Sequence, residues 1–137
     1  MRVSRQVQPD PVTHVELVGL LTRFCSGFAA RDAKAVIATL APDSDPVVVT
    51  SEEALLRGHT ELRLFLERYI AGPTTYSWEW ERHDSRVRGP VAWLLATGIE
   101  SAQVGDRVEQ HPYRMTIVAE RTSEGWLLTH VHGSSPH

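Results

Sequence analysis

His130 and His132 stand two residues apart in the stretch Trp126 to His132, whose apolar alternation reads as a strand. Residues two apart in a strand share a face, so both imidazoles are expected to follow Trp126 and Leu128 onto one side. Imidazole titrates near neutrality, and in a pocket it can act as acid, base or hydrogen-bond donor. Arg114, in Tyr113-Arg114-Met115-Thr116, can clamp a carbonyl or anionic oxygen, or serve as an ion-pair partner within a sheet. The expected catalytic set is therefore His132 as acid or base, His130 beside it, and Arg114 or a tryptophan N–H on the oxygen. A metal centre is not expected. His-x-His supplies two ligands, and a third would have to come from Glu100, Glu109 or His111.

Trp78 and Trp80 share a strand face with Tyr76, and Trp93 and Trp126 sit on later strands. Large rings with one polar atom suit a cavity for flat apolar molecules, a dimer interface or plain core packing. The expected pocket wall is Phe24, Tyr69, Trp78, Trp80, Trp93 and Thr116. Glu100 shares a face with Ala92, Ala96 and Gly98. Facing inward it is a lone pocket acid; facing outward it is a solvated edge charge. Cys25 has no electropositive neighbour in its helix and reads as a buried small hydrophobe rather than a nucleophile.

These groups need elements to hold them. Leu17, Leu20, Leu21, Phe24 and Phe28 recur at helical spacing, so a helix is expected from Pro11 to Ala30, with Asp10 as cap and Pro11 preset for the first turn. Asp32 can cap a short second helix, Ala33 to Leu40, closed by Pro42. Val47 to Val49 read as a brief strand with a return strand at Leu55 to Gly58. A third helix is expected from Thr60 to Ala71, ended by Gly72-Pro73. Strands follow at Thr74 to Asp84, Val91 to Ala102, Tyr113 to Arg121 and Trp126 to His132, with turns at Gly105-Asp106 and Ser123-Glu124-Gly125. Residues 1–10 read as an N-terminal tail, 11–133 as one domain, and 134–137 as a loose C-terminal tail. The order of elements predicts an α+β domain: three helices on one face of a strongly curved, mixed, mostly antiparallel sheet, forming a cone with a pocket at its wide end.

The chain resembles the SnoaL-like group of the nuclear transport factor 2-like superfamily. The resemblance rests on Phe28-Ala29-Ala30-Arg31-Asp32, Arg57-Gly58-His59, Val91-Ala92-Trp93, Tyr113-Arg114-Met115-Thr116 and the closing Gly125-Trp126 to His132-Gly133-Ser134. It implies the cone-shaped pocket and a homodimer joined through the sheet, but not one chemistry. Steroid isomerases of this fold need a carboxylate on the early strand, a tyrosine on the first helix and a second acid on the penultimate strand. Here Val47 to Thr50, Phe24, and Thr116-Ile117 stand in those places. Epoxide hydrolases of the fold use Arg-x-Asp, where this chain has Arg114-Met115-Thr116, and a threonine cannot activate water as a carboxylate does.

Composition narrows the rest. The chain has 137 residues, 42% hydrophobic and 23% charged, with 14 Lys+Arg against 17 Asp+Glu for a net charge of −3. That is one ordinary globular domain with no basic block to favour nucleic acid or an anionic membrane. A single cysteine excludes an internal disulfide, and neither a signal peptide nor a membrane span is visible. The expectation is a cytoplasmic domain that binds a small hydrophobic molecule in an aromatic-lined pocket. Its chemistry, where it has one, is proton transfer of isomerase, cyclase or hydratase type on a polycyclic or polyketide-like compound, with no obligatory cofactor. The rival is a non-enzymatic dimerisation or ligand-carrier module.

Overall fold

The computed structural model describes residues 10–50 and 54–136. Helix α1 (Pro11–Ala29) opens where expected, with the Asp10 side chain accepting from the Thr13 N–H at 2.9 Å. Asp32 caps α2 (Ala33–Ile37) in the same way through Ala35 N. Between the two helices Arg31 adopts φ 57°, a left-handed conformation that costs a side-chain-bearing residue energy and turns the chain sharply. Gly27 makes the close approach possible, since a Cβ there would lie 2.6 Å from Val36 Cγ2. Helix α3 (Gly58–Ala71) begins two residues before the expected Thr60. Its first turn is held by Glu61, which accepts from Arg57 N at 2.7 Å.

The strands are β1 (Val47–Val49), β2 (Leu55–Arg57), β3 (Thr74–Arg88), β4 (Val91–Val104), β5 (Arg107–Thr122) and β6 (Gly125–Ser134). They form one sheet in the order β2-β1-β6-β5-β4-β3, with β1 parallel to β6 and the other pairs antiparallel. The α+β architecture is as read from the sequence: the helices pack on the inner face of the curved sheet. Leu17, Leu20, Leu21 and Phe24 of α1 form one cluster with Leu94 and Ala96 of β4 and Met115 and Ile117 of β5. Burying such side chains contributes about 1.5–3 kcal/mol each and fixes which face of each strand points inward.

Two bulges aim the sheet. At Trp80/Arg82 the pairing of β3 with β4 slips by one residue, and nearby Gly98 lets β3 close in, because a Cβ there would collide with the Glu79 carbonyl oxygen. The second lies between β5 and β6, where Val118 pairs with His130 but Ala119 pairs with Leu128. Thr129 is the extra residue, and it reverses the facing of everything after it. Val131 and Gly133 therefore turn inward while His132 is exposed and His130 half-buried on the other face. The expectation that both histidines share the side of Trp126 and Leu128 is corrected here. The expected tail from residue 134 begins one residue later, since Ser134 still pairs with Arg114 as the last residue of β6.

A histidine pair clamps α1 to β3. His14 Nδ1 lies 2.5 Å from the buried Ser85 hydroxyl, and the His14 and His83 rings meet edge-on at 6.4 Å. Burial first, and the neighbouring His14 second, hold the His83 imidazole below the usual range. A base depressed in the folded state supports stability above its unfolded pKa, and that support disappears as the pH falls through the folded value. The melting temperature is expected to decline as pH falls below about 6.5, and His83→Gln is expected to flatten that decline. Parallel melting curves for the two proteins from pH 7.5 to 5 would contradict the assignment.

Candidate functional site

At the open end of the cone, β3, β4 and β5 meet α1 and α3 around a hollow of about 50 Å3. Its inner wall comes from Phe24 and Phe28 of α1, Val48 of β1, Phe65 and Tyr69 of α3, and Met115 of β5. Tyr76, Trp78, Tyr113, Val131 and Gly133 add to it, with Val49 and Thr50 at the end of β1. Into this apolar wall β4 projects Glu100, only 4% exposed. Glu100 follows Ala92, Leu94, Ala96 and Gly98, the alternate positions of β4 that face the helices, and strand periodicity carries it inward with them.

A buried carboxylate must be compensated, and Glu100 is. Trp78 Nε1 donates to its Oε2 at 2.9 Å, and His111 Nε2 lies 2.8 Å from its Oε1. Pairing in the sheet makes both contacts inevitable, since Glu100 sits opposite Trp78 on β3 and opposite His111 on β5. The side chain of His111 is 39% exposed against 5% for that of Glu100. The pair therefore spans from solvent to hollow.

The surrounding rings are locked together. Tyr69 and Tyr76 stack at 6.0 Å, Tyr76 and Trp78 at 6.5 Å, and Trp78 meets Phe28 edge-on at 5.8 Å. The Tyr69 hydroxyl donates to Phe28 O and accepts from Tyr76 N, each at 2.8 Å. Burial raises the Tyr69 pKa, which keeps that hydroxyl protonated and donating. Tyr113 reaches over Gly133, where a Cβ would collide with the tyrosine oxygen. Behind Tyr69, Arg31 places its guanidinium 5.3 Å from the ring centroid.

The structure divides the sequence-based candidates. Phe24, Tyr69 and Trp78 line the hollow as expected. Arg114 and Thr116 alternate with the buried Tyr113, Met115 and Ile117, so they face out, Arg114 exposed. Trp93, between the fully buried Ala92 and Leu94, faces the same way beside Val118 and Arg86. His132 pairs with Thr116, and His130 with Val118, on that outer face. Trp80 lines a separate groove of about 170 Å3 between α1 and β3, with Thr22, Cys25 and Ser77. The three proposed polar handles thus lie across the sheet from the hollow, and the wall loses Trp80, Trp93 and Thr116.

The family follows from the extent of the likeness along the chain. Residues 18–137 match the SnoaL-like domain family. The chain is a SnoaL-like domain protein. Among curated proteins no sequence match is found. Solved structures share its architecture. A candidate aromatic ring hydroxylase from Novosphingobium aromaticivorans superposes with a TM-score of 0.84 at 18% identity, covering 95% of this chain and 93% of its own. A candidate dehydratase of the nuclear transport factor 2-like family from Streptomyces avermitilis gives 0.80 at 21% identity, covering 93% and 99%. A nuclear transport factor 2-like protein of unknown function from Pseudomonas putida KT2440 gives 0.78 at 20% identity, covering 94% and 90%. Likeness at such identities establishes the shared fold, and the chemistry of this SnoaL-like domain has to come from its own residues.

Among the described residues no three His, Cys, Asp or Glu side chains gather into a metal-holding group. No described helix is long and apolar enough to cross a membrane. Cys25 is buried, and burial pushes its thiol up to about 12. Trp80 Nε1, which lines the same groove as Cys25, is sealed from solvent without a hydrogen-bond partner among the described residues. The thiol is expected to resist an aromatic disulfide reagent at pH 8 until the protein unfolds. Reaction of native protein at the rate of a free thiol would contradict this burial.

Proposed function

We propose that this SnoaL-like domain binds a small hydrophobic molecule in the aromatic hollow and moves a proton on it with Glu100 as general acid–base. The observation that carries the reading is Glu100 itself: 4% exposed, in an apolar wall, with one oxygen on Trp78 and the other on His111. Trp78 holds the carboxylate in place, and His111 exchanges the proton with solvent. A hollow of about 50 Å3 has room for only about four waters. It therefore encloses the reacting end of a ligand, and the body of any polycyclic compound lies across the mouth. The outward positions of His130, His132 and Arg114 favour Glu100 and His111 as the working pair.

The test works whatever the product is. A thermal-shift screen of flat apolar compounds finds binders, because a ligand specific for the native state raises the melting point. Each binder is then incubated with protein in D2O and its carbon-bound hydrogens are followed by NMR. Binding with protein-dependent exchange is expected. Binding without exchange for every ligand found would leave a carrier, the non-enzymatic reading, in place of an enzyme.

Self-association belongs to the same proposal. The outer sheet face carries Trp93 next to Leu95, 40% exposed, and Val91, 39% exposed. Trp93 pairs with Val118 on β5, while Glu120 stands between Val91 and Leu127 of β6. Apolar side chains exposed on one sheet face among polar ones are expected to be covered by a second copy. Sedimentation is expected to show a dimer at micromolar concentration and a monomer for Leu95→Glu. A monomeric parent protein would remove the dimer.

A further inference from the structure

We propose that the ligand of the hollow is a nitrogen cation, an organic ammonium or iminium, whose charged end sits against Glu100. The inference rests on the pocket reading above and adds the class of molecule. Among the described residues lining the hollow, Glu100 is the one that carries a charge. An anion would meet this carboxylate with no cationic side chain in the lining to receive it. Arg31, behind Tyr69, is already committed: its N–H groups donate to the carbonyls of Tyr69, Ile70, Gly72 and Thr74 and to the Thr75 hydroxyl.

The walls add a second, independent attraction. The Tyr69, Tyr76 and Trp78 rings are nearly parallel, with interplanar angles of 22° and 20°, and Tyr113 leans over Trp78 at 6.2 Å. These four rings all line the hollow, and a ring that presents its face to a desolvated cation attracts it. A neutral alcohol would offer Glu100 a hydrogen bond but would bring no positive charge to balance the carboxylate among these rings. The small volume also fits, since an ammonium or iminium centre with its attached carbons is compact.

The charge balance of the proton transfer points the same way. Deprotonating a neutral ketone would replace the carboxylate by an enolate, another anion, with no lining cation to hold it. Deprotonating an iminium removes charge altogether. The C–H bond beside the C=N+ breaks, its proton goes to a Glu100 oxygen, and its electron pair forms C=C while the C=N π pair returns to nitrogen. A neutral acid and a neutral enamine remain, which an apolar hollow favours. Return of the proton completes a tautomerisation with no other reactant.

Isothermal titration with benzylamine, benzyl alcohol and benzoate, which share a ring and differ in charge, tests the class. Benzylamine, bound as its ammonium, is expected to bind about tenfold tighter than benzyl alcohol, and benzoate not at all. Glu100→Gln is expected to erase the preference for the amine, and Tyr76→Leu to weaken benzylamine several-fold more than benzyl alcohol. Benzyl alcohol or benzoate binding the parent protein as tightly as benzylamine would overturn the cation assignment while leaving the pocket intact. Absence of binding by all three at millimolar concentration would overturn the pocket reading and this inference with it.

Discussion

Glu100→Gln is expected to slow solvent-deuterium exchange into a bound substrate by about 10²- to 10⁴-fold, the usual contribution of a positioned acid or base. The substitution keeps the shape of the side chain: its amide oxygen can accept from Trp78 Nε1, 2.9 Å from the parent carboxylate, and its amide nitrogen can donate to His111 Nε2, at 2.8 Å in the parent, when that imidazole carries its hydrogen on Nδ1. What it removes is the proton-accepting carboxylate. The protein is therefore expected to stay folded, with a melting temperature near that of the parent, so that loss of exchange reports chemistry. His111→Gln is expected to do less, because it interrupts the link to solvent and leaves the carboxylate in the hollow. Full exchange activity in Glu100→Gln would remove the acid–base assignment at once.

Arg31→Ala is expected to be the most destabilising single change outside the apolar core, by about 3 kcal/mol, which for a chain of this size lowers the melting temperature by about 10 °C. Arg31 crosses from the α1–α2 corner to the end of α3 and the start of β3. Its two terminal nitrogens reach five acceptors with four N–H bonds, Nη2 sharing its two among three: Tyr69 O at 3.2 Å, Ile70 O at 2.5 Å, Gly72 O at 2.6 Å, and from Nη1 Thr74 O at 2.8 Å and Thr75 Oγ1 at 2.8 Å. The first three acceptors are carbonyls at the end of α3, where the helix runs out of N–H groups to bond them. Alanine would leave them to water and would also keep the left-handed backbone at φ 57°. Arg31→Gly loses the same bonds but relieves that backbone, so it is expected to be about 1 kcal/mol less damaging than alanine. Arg31→Lys keeps the charge without the planar fork and is expected to fall between parent and alanine. Urea denaturation of the three variants checks the order, and an alanine variant as stable as the parent would contradict it.

Much of the architecture is legible because local signals agree with the tertiary result. The α1 periodicity, the Asp10 and Asp32 caps and the Gly72-Pro73 stop each describe one element without reference to another. The long strands are less legible at their outer ends. Gln103, Val104, Glu109 and Gln110 extend β4 and β5 beyond the expected Ala102 and Tyr113, and most of them are polar because that ribbon is exposed to solvent. The strand reading of Thr74 to Asp84 stops short at the same kind of boundary, since β3 continues through Ser85 and Val87 to Arg88.

The site divides on a different line. Tyr113, Met115 and Ile117 are the inward set of β5, so alternation puts Arg114 and Thr116 on the opposite face, against the expectation that set both in the site. What alternation cannot foresee is the extra residue at Thr129, which turns His130 and His132 away from the hollow. Nothing in the composition of Leu127 to Val131 marks that bulge, which shows only in the pairing of β6 with β5. The working pair was within reach of the sequence by another route. Counting outward from the two-residue turn Gly105-Asp106 sets Glu100 opposite His111 and Gly98 opposite Tyr113, as found. Whether that face points inward depends on α1 covering the small residues Ala92, Ala96 and Gly98, a tertiary fact.

Selective 13C labelling of glutamate carboxyl groups, followed by NMR through a titration with a ligand of the hollow, addresses the carboxylate most directly. One resonance, missing from the Glu100→Gln spectrum, is expected to move as the ligand binds while those of the exposed glutamates stay in place. A ligand that saturates the protein and leaves the Glu100 resonance where it was would show that binding happens elsewhere.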